Sequence, residues 1–372
     1  MKPKDELDLD SAIDWVVRSG IQNADGGFYA WYNCEKERYS FLYPEVTGYA
    51  IRLLMELYES MRKDVFLRKA IAAGEWLLKI QRKNGAFHCK YFDGSGKIDK
   101  SSYVFDAGIC LSGLLNLFEV TSDTKFLKSS LQIADWLLKN QNPDGSFVAG
   151  YDPNNMLIEE PHWSATSGCH HLKNLIPLLK LHDIVGDKRC YDSSERLLKW
   201  GIGLHSDTGR FYVSRTLKET YSHAHCYAVE GLLKSTKLFD KEVLSEHVIR
   251  AAKWLSNVQN EDGSIWNYHY TRKEKIKPSD TLAQALRIWT LAGKYFDVEK
   301  NKFEMNIRKG LSFLGKMQCL DGNPRSFGGV YYGKRNGKKI KHVNTWATFF
   351  SIQAISFLKE RRGNPSAFDA LF

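Results

Sequence analysis

Apolar positions along this chain fall at helical spacing around a tryptophan, and the pattern repeats. Each copy ends in glutamine or a substitute, a polar turn with glycine, and an aromatic residue. The copies lie at 12–28, 73–87, 133–147, 197–211, 251–266 and 310–327, marked by Trp15, Trp76, Trp136, Trp200, Trp254 and Phe313. The markers are 61, 60, 64, 54 and 59 residues apart. A period near 60 holds two helices and two connections, so the chain reads as an array of helical hairpins.

A second helix is visible in each period, starting near 44, 101, 162, 219, 278 and 341. These segments are apolar on most faces and rich in small residues, as expected of helices enclosed by others. The Trp-bearing segments carry more Lys, Arg and Asp at helical spacing and read as an outer ring. Pro44 and Pro278 fit helix starts, and Asp-Gly and Asn-Gly steps punctuate the turns. Six inner–outer pairs close into one unit. The predicted architecture is an all-α (α/α)6 toroid of six helical hairpins and about twelve helices, a single domain over 1–372. The outer-to-inner loops 84–101, 142–162, 203–219, 260–278 and 319–341 are long enough for short strands, but no β-hairpin domain is evident.

Composition refines this picture modestly. Apolar residues make up 43% of the chain and aromatics 13%, with 10 Trp, 18 Tyr and 20 Phe. Such richness suits helix packing and also sugar-stacking clefts. The net charge of +10 admits acidic partners, yet the one dense basic block is Lys334–Lys341, and no Arg/Lys stripe with interleaved aromatics points to nucleic acid. The seven cysteines are scattered without a CxxC pair, which reads as reduced, buried thiols. The first residues lack the apolar core of a signal peptide, and no run of 18 apolar residues suggests a membrane span. A cytoplasmic location is therefore expected.

The phrase Trp-Leu-Leu-Lys-x-Gln-x-x-x-Gly-x-Phe resembles the repeat of squalene-hopene cyclases and protein prenyltransferases. The chain also resembles six-hairpin glycosidases, such as unsaturated glucuronyl hydrolases, and sugar epimerases on the same toroid. It is more closely similar to a largely uncharacterised set of proteins associated with surface-polysaccharide synthesis. That similarity rests on Tyr43-Pro44-Glu45-Val46-Thr47-Gly48-Tyr49, Phe105-Asp106-Ala107-Gly108, Ser222-His223-Ala224-His225, Asp280-Thr281-Leu282-Ala283-Gln284, Phe327-Gly328-Gly329-Val330 and Asn344-Thr345-Trp346-Ala347. The resemblance implies the toroid and a glycan-related role, and brings no catalytic assignment. The Asp-x-Asp-Asp acid motif of class II terpene cyclases is missing, and His223, His225 and Cys226 lack a further partner for zinc, so no metal or cofactor is expected.

In such a barrel the inner helices all start at one rim, and their first turns converge there. The catalytic candidates are Asp106, His223, Asp280 and Glu45. The substrate-binding candidates are Tyr43, Tyr103, Trp163, His170, His171, Tyr221, His225, Gln284, Arg325, Asn344 and Trp346. Glu45 and Asp280 fit helix-capping roles equally well. Asp106 stands before a long apolar run without a basic neighbour. Glycosyl chemistry needs two carboxyl groups across the sugar, which Asp106 and Asp280 could supply. Uronate epimerisation or elimination needs a base, an acid and a cation, for which His223, a tyrosine and Arg215 or Arg325 are available. Trp163, Trp346 and Trp266 could stack on sugars, and the Gly-rich segment 321–337 could cover the site. The expected function is a carbohydrate-active hydrolase, lyase or uronate epimerase acting on a polysaccharide or glycan, acidic by the charge argument. A non-catalytic glycan-binding or assembly protein, and a terpenoid-cyclase-like enzyme, remain as alternatives. Oligomeric state is not legible.

Overall fold

The computed structural model describes residues 6–296, 301–321 and 323–360. The ends of the expected single unit, 1–5 and 361–372, and Gly322 of the Gly-rich segment lie outside the described residues. Six outer helices, α1 (Leu9–Arg18), α3 (Asp64–Ile80), α5 (Thr124–Lys139), α7 (Lys188–Ile202), α9 (Lys241–Asn257) and α11 (Glu304–Met317), alternate with six inner ones. The inner helices are α2 (Pro44–Met61), α4 (Val104–Thr121), α6 (Leu175–Val185), α8 (Ser222–Ser235), α10 (Ser279–Tyr295) and α12 (Thr345–Glu360). The chain is thus an (α/α)6 toroid with one continuous apolar core.

The two ends of the barrel differ because the connections differ. At the bottom, inner helices α2, α4 and α6 end in left-handed residues, Arg62, Ser122 and Gly186. An outer helix follows almost at once, its first turn capped by Asp123 or Asp187. At the top, long loops carry the strands. Strands β1 (Trp31–Asn33), β2 (Arg38–Tyr39), β9 (Lys277–Pro278), β10 (Tyr331–Arg335) and β11 (Lys338–Asn344) form an antiparallel sheet in the order β2-β1-β11-β10-β9. Three further pairs, β3 (Lys90–Phe92) with β4 (Lys97–Asp99), β5 (Ser102–Tyr103) with β6 (Gly150–Tyr151) and β7 (Thr220–Tyr221) with β8 (Tyr268–His269), complete the rim. The strands form a layer on the rim rather than a separate domain. The Gly-rich segment supplies β10 and the turn into β11, so it is a wall of the rim.

The repeated glutamine and glycine now have a mechanical meaning. Gln81 donates from Nε2 to the Gly85 carbonyl at 3.4 Å and to the Ser129 carbonyl of the next outer helix at 3.1 Å. Gln22, Gln141, Gln259 and Gln318 do the same in their copies, and Gln318 closes the ring on Asp8. The glycine lets the turn press on that neighbour: Gly85 has φ +93°, and a Cβ there would enter the Gln132 carbonyl. In the sixth copy Gly328 takes this role against Ser11, so the buried residue after the turn is Val330, while Phe327, the aromatic expected there, is exposed. The fourth copy has His205 in place of glutamine, and it pairs Nδ1 to Nδ1 with His247 at 2.7 Å. We predict that Gly85→Ala lowers unfolding free energy by about 3 kcal/mol, combining backbone strain with the clash. Gly94→Ala, in a turn with open space around it, should cost under about 1 kcal/mol more than the strain alone. Urea denaturation of the two variants checks this.

Two expectations are revised. The third inner helix was expected from about 162, but 152–168 is loop, followed by a 3₁₀ turn at Cys169–Asn174. Pro177 has no N–H to offer and is tolerated only in the first turn, so α6 begins at Leu175. Helix α4 is long and apolar enough to cross a membrane by length and composition, but it is an inner helix with 72% of its residues buried in the barrel. All seven cysteines are free thiols, six of them buried.

Candidate active site

Where the inner helices start, the rim encloses a cavity of about 480 Å³. Its wall includes Tyr43, Glu45, Tyr103, Asp106, Trp163, Tyr221, His223, Asp280, Asn344 and Trp346, ten of the sequence-derived candidates. They come from all six hairpins, and no Leu, Ile, Val or Met among the described residues lines the cavity.

The carboxyl groups differ in how they are held. Glu45 accepts the Trp346 indole N–H at both oxygens, at 3.1 and 3.0 Å. Burial and then the nearby Asp106 charge push its pKa well above the usual range. Asp106 is raised to about 7, chiefly by burial, with the Tyr43 hydroxyl opposing. Its Oδ2 is buried without a hydrogen-bond partner. Two close carboxyls cannot both ionise cheaply, so a charge on Asp106 holds the Glu45 proton on more firmly. Asp280 uses Oδ1 to accept the Thr281 backbone N–H at 2.6 Å, so it is a local cap. Its Oδ2 lies 3.8 Å from His223 Nδ1. Burial raises it too, to about 7.

His223 is held neutral, its pKa lowered by burial to about 3. Its Nε2 is 2.7 Å from the Tyr227 hydroxyl, one helical turn on. Trp163 stacks on Tyr221 with ring centroids 4.7 Å apart and an interplanar angle of 17°. Asn344 accepts the Ala347 N–H and so caps α12 while facing the cavity.

Five candidates do not line the cavity. His170 packs edge-on behind Trp163 and beside Phe105, a support for the wall. His171 turns to Phe147. His225, two residues from His223 and so on another helix face, accepts the Phe211 N–H and packs on Trp254. Gln284 is fully buried one turn below Asp280, away from the lining. Arg325 lies over Tyr39, and its carbonyl takes the Trp15 indole N–H. Arg215 pairs with Asp144, and Trp266 packs under Lys277. Conversely, Trp31, Lys90, Phe105, Tyr227, Tyr332 and His342 line the cavity without having been selected. Tyr227 was findable from its i+4 spacing to His223. Trp31, Lys90, Tyr332 and His342 sit on rim strands whose pairing no local pattern reveals.

Below the cavity the inner helices carry ions. Glu230 meets both Lys173 and Arg287, Arg287 meets Gln353, and Gln353 donates to Glu56, which pairs with Arg52 at 3.2 Å. The inner helices are therefore not otherwise apolar, as the pattern suggested. Burial lowers the Lys173 pKa to about 8 despite Glu230. Its ammonium faces the Tyr227 ring at 5.2 Å, linking this ionic layer to the cavity floor. Among the described residues no three His, Cys, Asp or Glu side chains converge to hold a metal ion.

Barrel, rim and cavity define the chain as a six-hairpin toroid protein, and solved structures bear out the fold. A sugar epimerase from a ruminal bacterium superposes with TM-score 0.77 at 15% identity, over 95% of this chain and 97% of that one. An unsaturated glucuronyl hydrolase specific for heparin gives 0.72 at 14%, over 95% and 96%. A D-mannose isomerase gives 0.76 at 10%, over 94% and 96%. No family model matches the sequence. No curated protein matches it either.

Proposed function

We propose that this chain is a carbohydrate-active enzyme that cleaves a glycosidic bond of an oligosaccharide or polysaccharide in the rim cavity. The observation that carries this reading is the pair Asp106 and Asp280, which open separate inner helices onto one aromatic-walled cavity with pKa values near 7. A general acid works best when its pKa lies near the operating pH. Asp106, with an unengaged oxygen, is the proton donor to the leaving oxygen, and Asp280 beside His223 serves the opposite side. Trp31, Trp163 and Trp346 offer surfaces for sugar faces. The fold neighbours, carbohydrate-active by name, support the class. The convergence of Glu45, Asp106 and Asp280 on the cavity speaks against a terpenoid substrate, and the free oxygen of Asp106 against a purely binding role.

A second reading, epimerisation or elimination at a sugar carbon, is favoured by one feature: Asp280 beside the neutral His223 could act as a base on a C–H bond. Incubation of the protein with a panel of neutral and acidic oligosaccharides in D₂O separates the readings. Hydrolysis yields new reducing ends without deuterium on carbon. Isomers of unchanged size with carbon-bound deuterium, or unsaturated products, replace it with the second reading. No turnover of any glycan would sink both.

A further inference from the structure

A second recess of about 660 Å³ adjoins the cavity, and Trp31 and His342 belong to the walls of both. These two rings stack at 5.4 Å with an interplanar angle of 8°, forming a flat partition. The two compartments differ in charge. The cavity holds three carboxyl groups, and its one Lys or Arg, Lys90, is tied to Asp99 at 3.3 Å. The recess is lined by Lys36 and Arg38, whose side chains have no acidic partner among the described residues. Its one acid, Asp93, is committed to the Tyr29 hydroxyl. Glu35 and Glu37 share the β1–β2 turn with these cations but do not line the recess. Around them Tyr39, Phe41 and Phe92 supply aromatic surface.

We infer that this recess is a subsite for an anionic group on the glycan, a carboxylate, sulfate or phosphate held by Lys36 and Arg38, while the sugar that reacts in the cavity is itself neutral. The inference rests on the glycan-processing reading above and specifies its substrate. A substrate carboxylate inside the cavity would face Glu45, Asp106 and Asp280 with no free cation to meet it. A glycan leaving the cavity across the Trp31–His342 partition reaches two cations with unused donors. Arg38 offers a planar fork suited to oxyanions, and Lys36 a mobile point charge. The positive net charge of the chain pointed to an acidic partner; the recess gives that acidity a place outside the reacting centre.

The test uses an array of di- to tetrasaccharides in matched neutral, uronate, sulfate and phosphate forms. It is probed with the wild type, Lys36→Ala/Arg38→Ala and the charge reversal Lys36→Glu/Arg38→Glu. Lys36 is exposed in the β1–β2 turn and Arg38 is exposed at the start of the short strand β2, so folding is preserved, and circular dichroism verifies it. The wild type should bind one anionic series about tenfold more tightly than its neutral counterpart, as two charge-assisted hydrogen bonds to a partly hydrated anion allow. That preference should shrink as salt rises from about 0.05 to 0.3 M, where the Debye length falls below ~10 Å. The alanine variant should lose the preference and keep its affinity for neutral glycans, and the reversal should turn it into discrimination against anions. Whichever anionic series is retained identifies the source of the charge. An anionic preference that survives both variants, or its absence in the wild type, overturns the subsite and leaves the enzymatic reading standing. Failure of every glycan to bind overturns both.

Discussion

Asp106→Asn is expected to lower turnover of the cognate glycan by about 10²–10⁴-fold, the usual contribution of a positioned general acid, and at the same time to stabilise the protein above pH 7. The two effects share one cause. Burial raises the Asp106 pKa to about 7 in the folded state, against about 3.9 in the unfolded chain. Between these values the folded protein holds a proton that the unfolded chain has released, so stability falls as pH rises through this window. Below it the carboxyl is neutral in both states and nothing is lost. Above pH 7 the buried carboxylate carries its full penalty, on the order of 4 kcal/mol for a three-unit shift. Asparagine removes that penalty, so the variant's advantage should be near zero at pH 4 and largest at pH 8.5. Wild-type activity that needs the protonated Asp106 should decline on the same limb. Denaturation at the two pH values, with turnover measured alongside, checks both effects. A variant that keeps full activity, or gains equally at both pH values, would remove Asp106 from the proposed role.

Glu230→Ala should be the most damaging single change in the barrel interior, costing about 3–5 kcal/mol. Glu230 is buried and is the shared partner of Lys173 and Arg287. Its removal strands two cations beneath the cavity. Arg287 retains Gln353, but Lys173 keeps only the faces of Tyr49 and Tyr227. The pH dependence is signed by Lys173. Its folded pKa, about 8, is below the ordinary value near 10.4, so its burden is complete below pH 8 and is relieved as pH rises toward 10. Without Glu230 that pKa falls further, and the deficit of the variant should be smaller at pH 9 than at pH 6. Adding Lys173→Met should restore part of the loss, because an uncharged interior needs no counter-ion. Urea midpoints for the single and double variants decide this. Equal midpoints for Glu230→Ala and wild type would mean that water reaches this layer.

Much of the candidate site could be read in advance for a simple reason. An inner helix must start at the rim, so a polar residue in its first turn, such as Glu45, Asp106 or Asp280, has few places to go. The same logic overreached at His225 and Gln284. A helix has several faces, and only packing decides which of them looks into the cavity. His170 and His171 were misplaced because the third inner segment opens as a 3₁₀ turn, which rotates side chains differently from an α-helix.

The sequence by itself determined the number of hairpins, the alternation of outer and inner helices, and the rim at which the polar first turns of the inner helices converge. Those properties are local and periodic: a Trp-centred amphipathic helix, a Gln that reaches its neighbour's carbonyl, and a Gly that admits close contact recur within each copy. Only the tertiary structure decided what closes around that rim. Strand β1 and strand β11 pair across some three hundred residues, Trp31 opposite Asn344, and their side chains form the partition between cavity and recess. The ionic layer of Arg52, Glu56, Lys173, Glu230 and Arg287 likewise gathers charges from separate hairpins. Arg52 and Glu56 pair within α2, but Lys173, Glu230 and Arg287 meet only across hairpins, with Gln353 joining the two groups. Pairing at such sequence separation leaves no periodic trace, because it is selected by the closed ring as a whole.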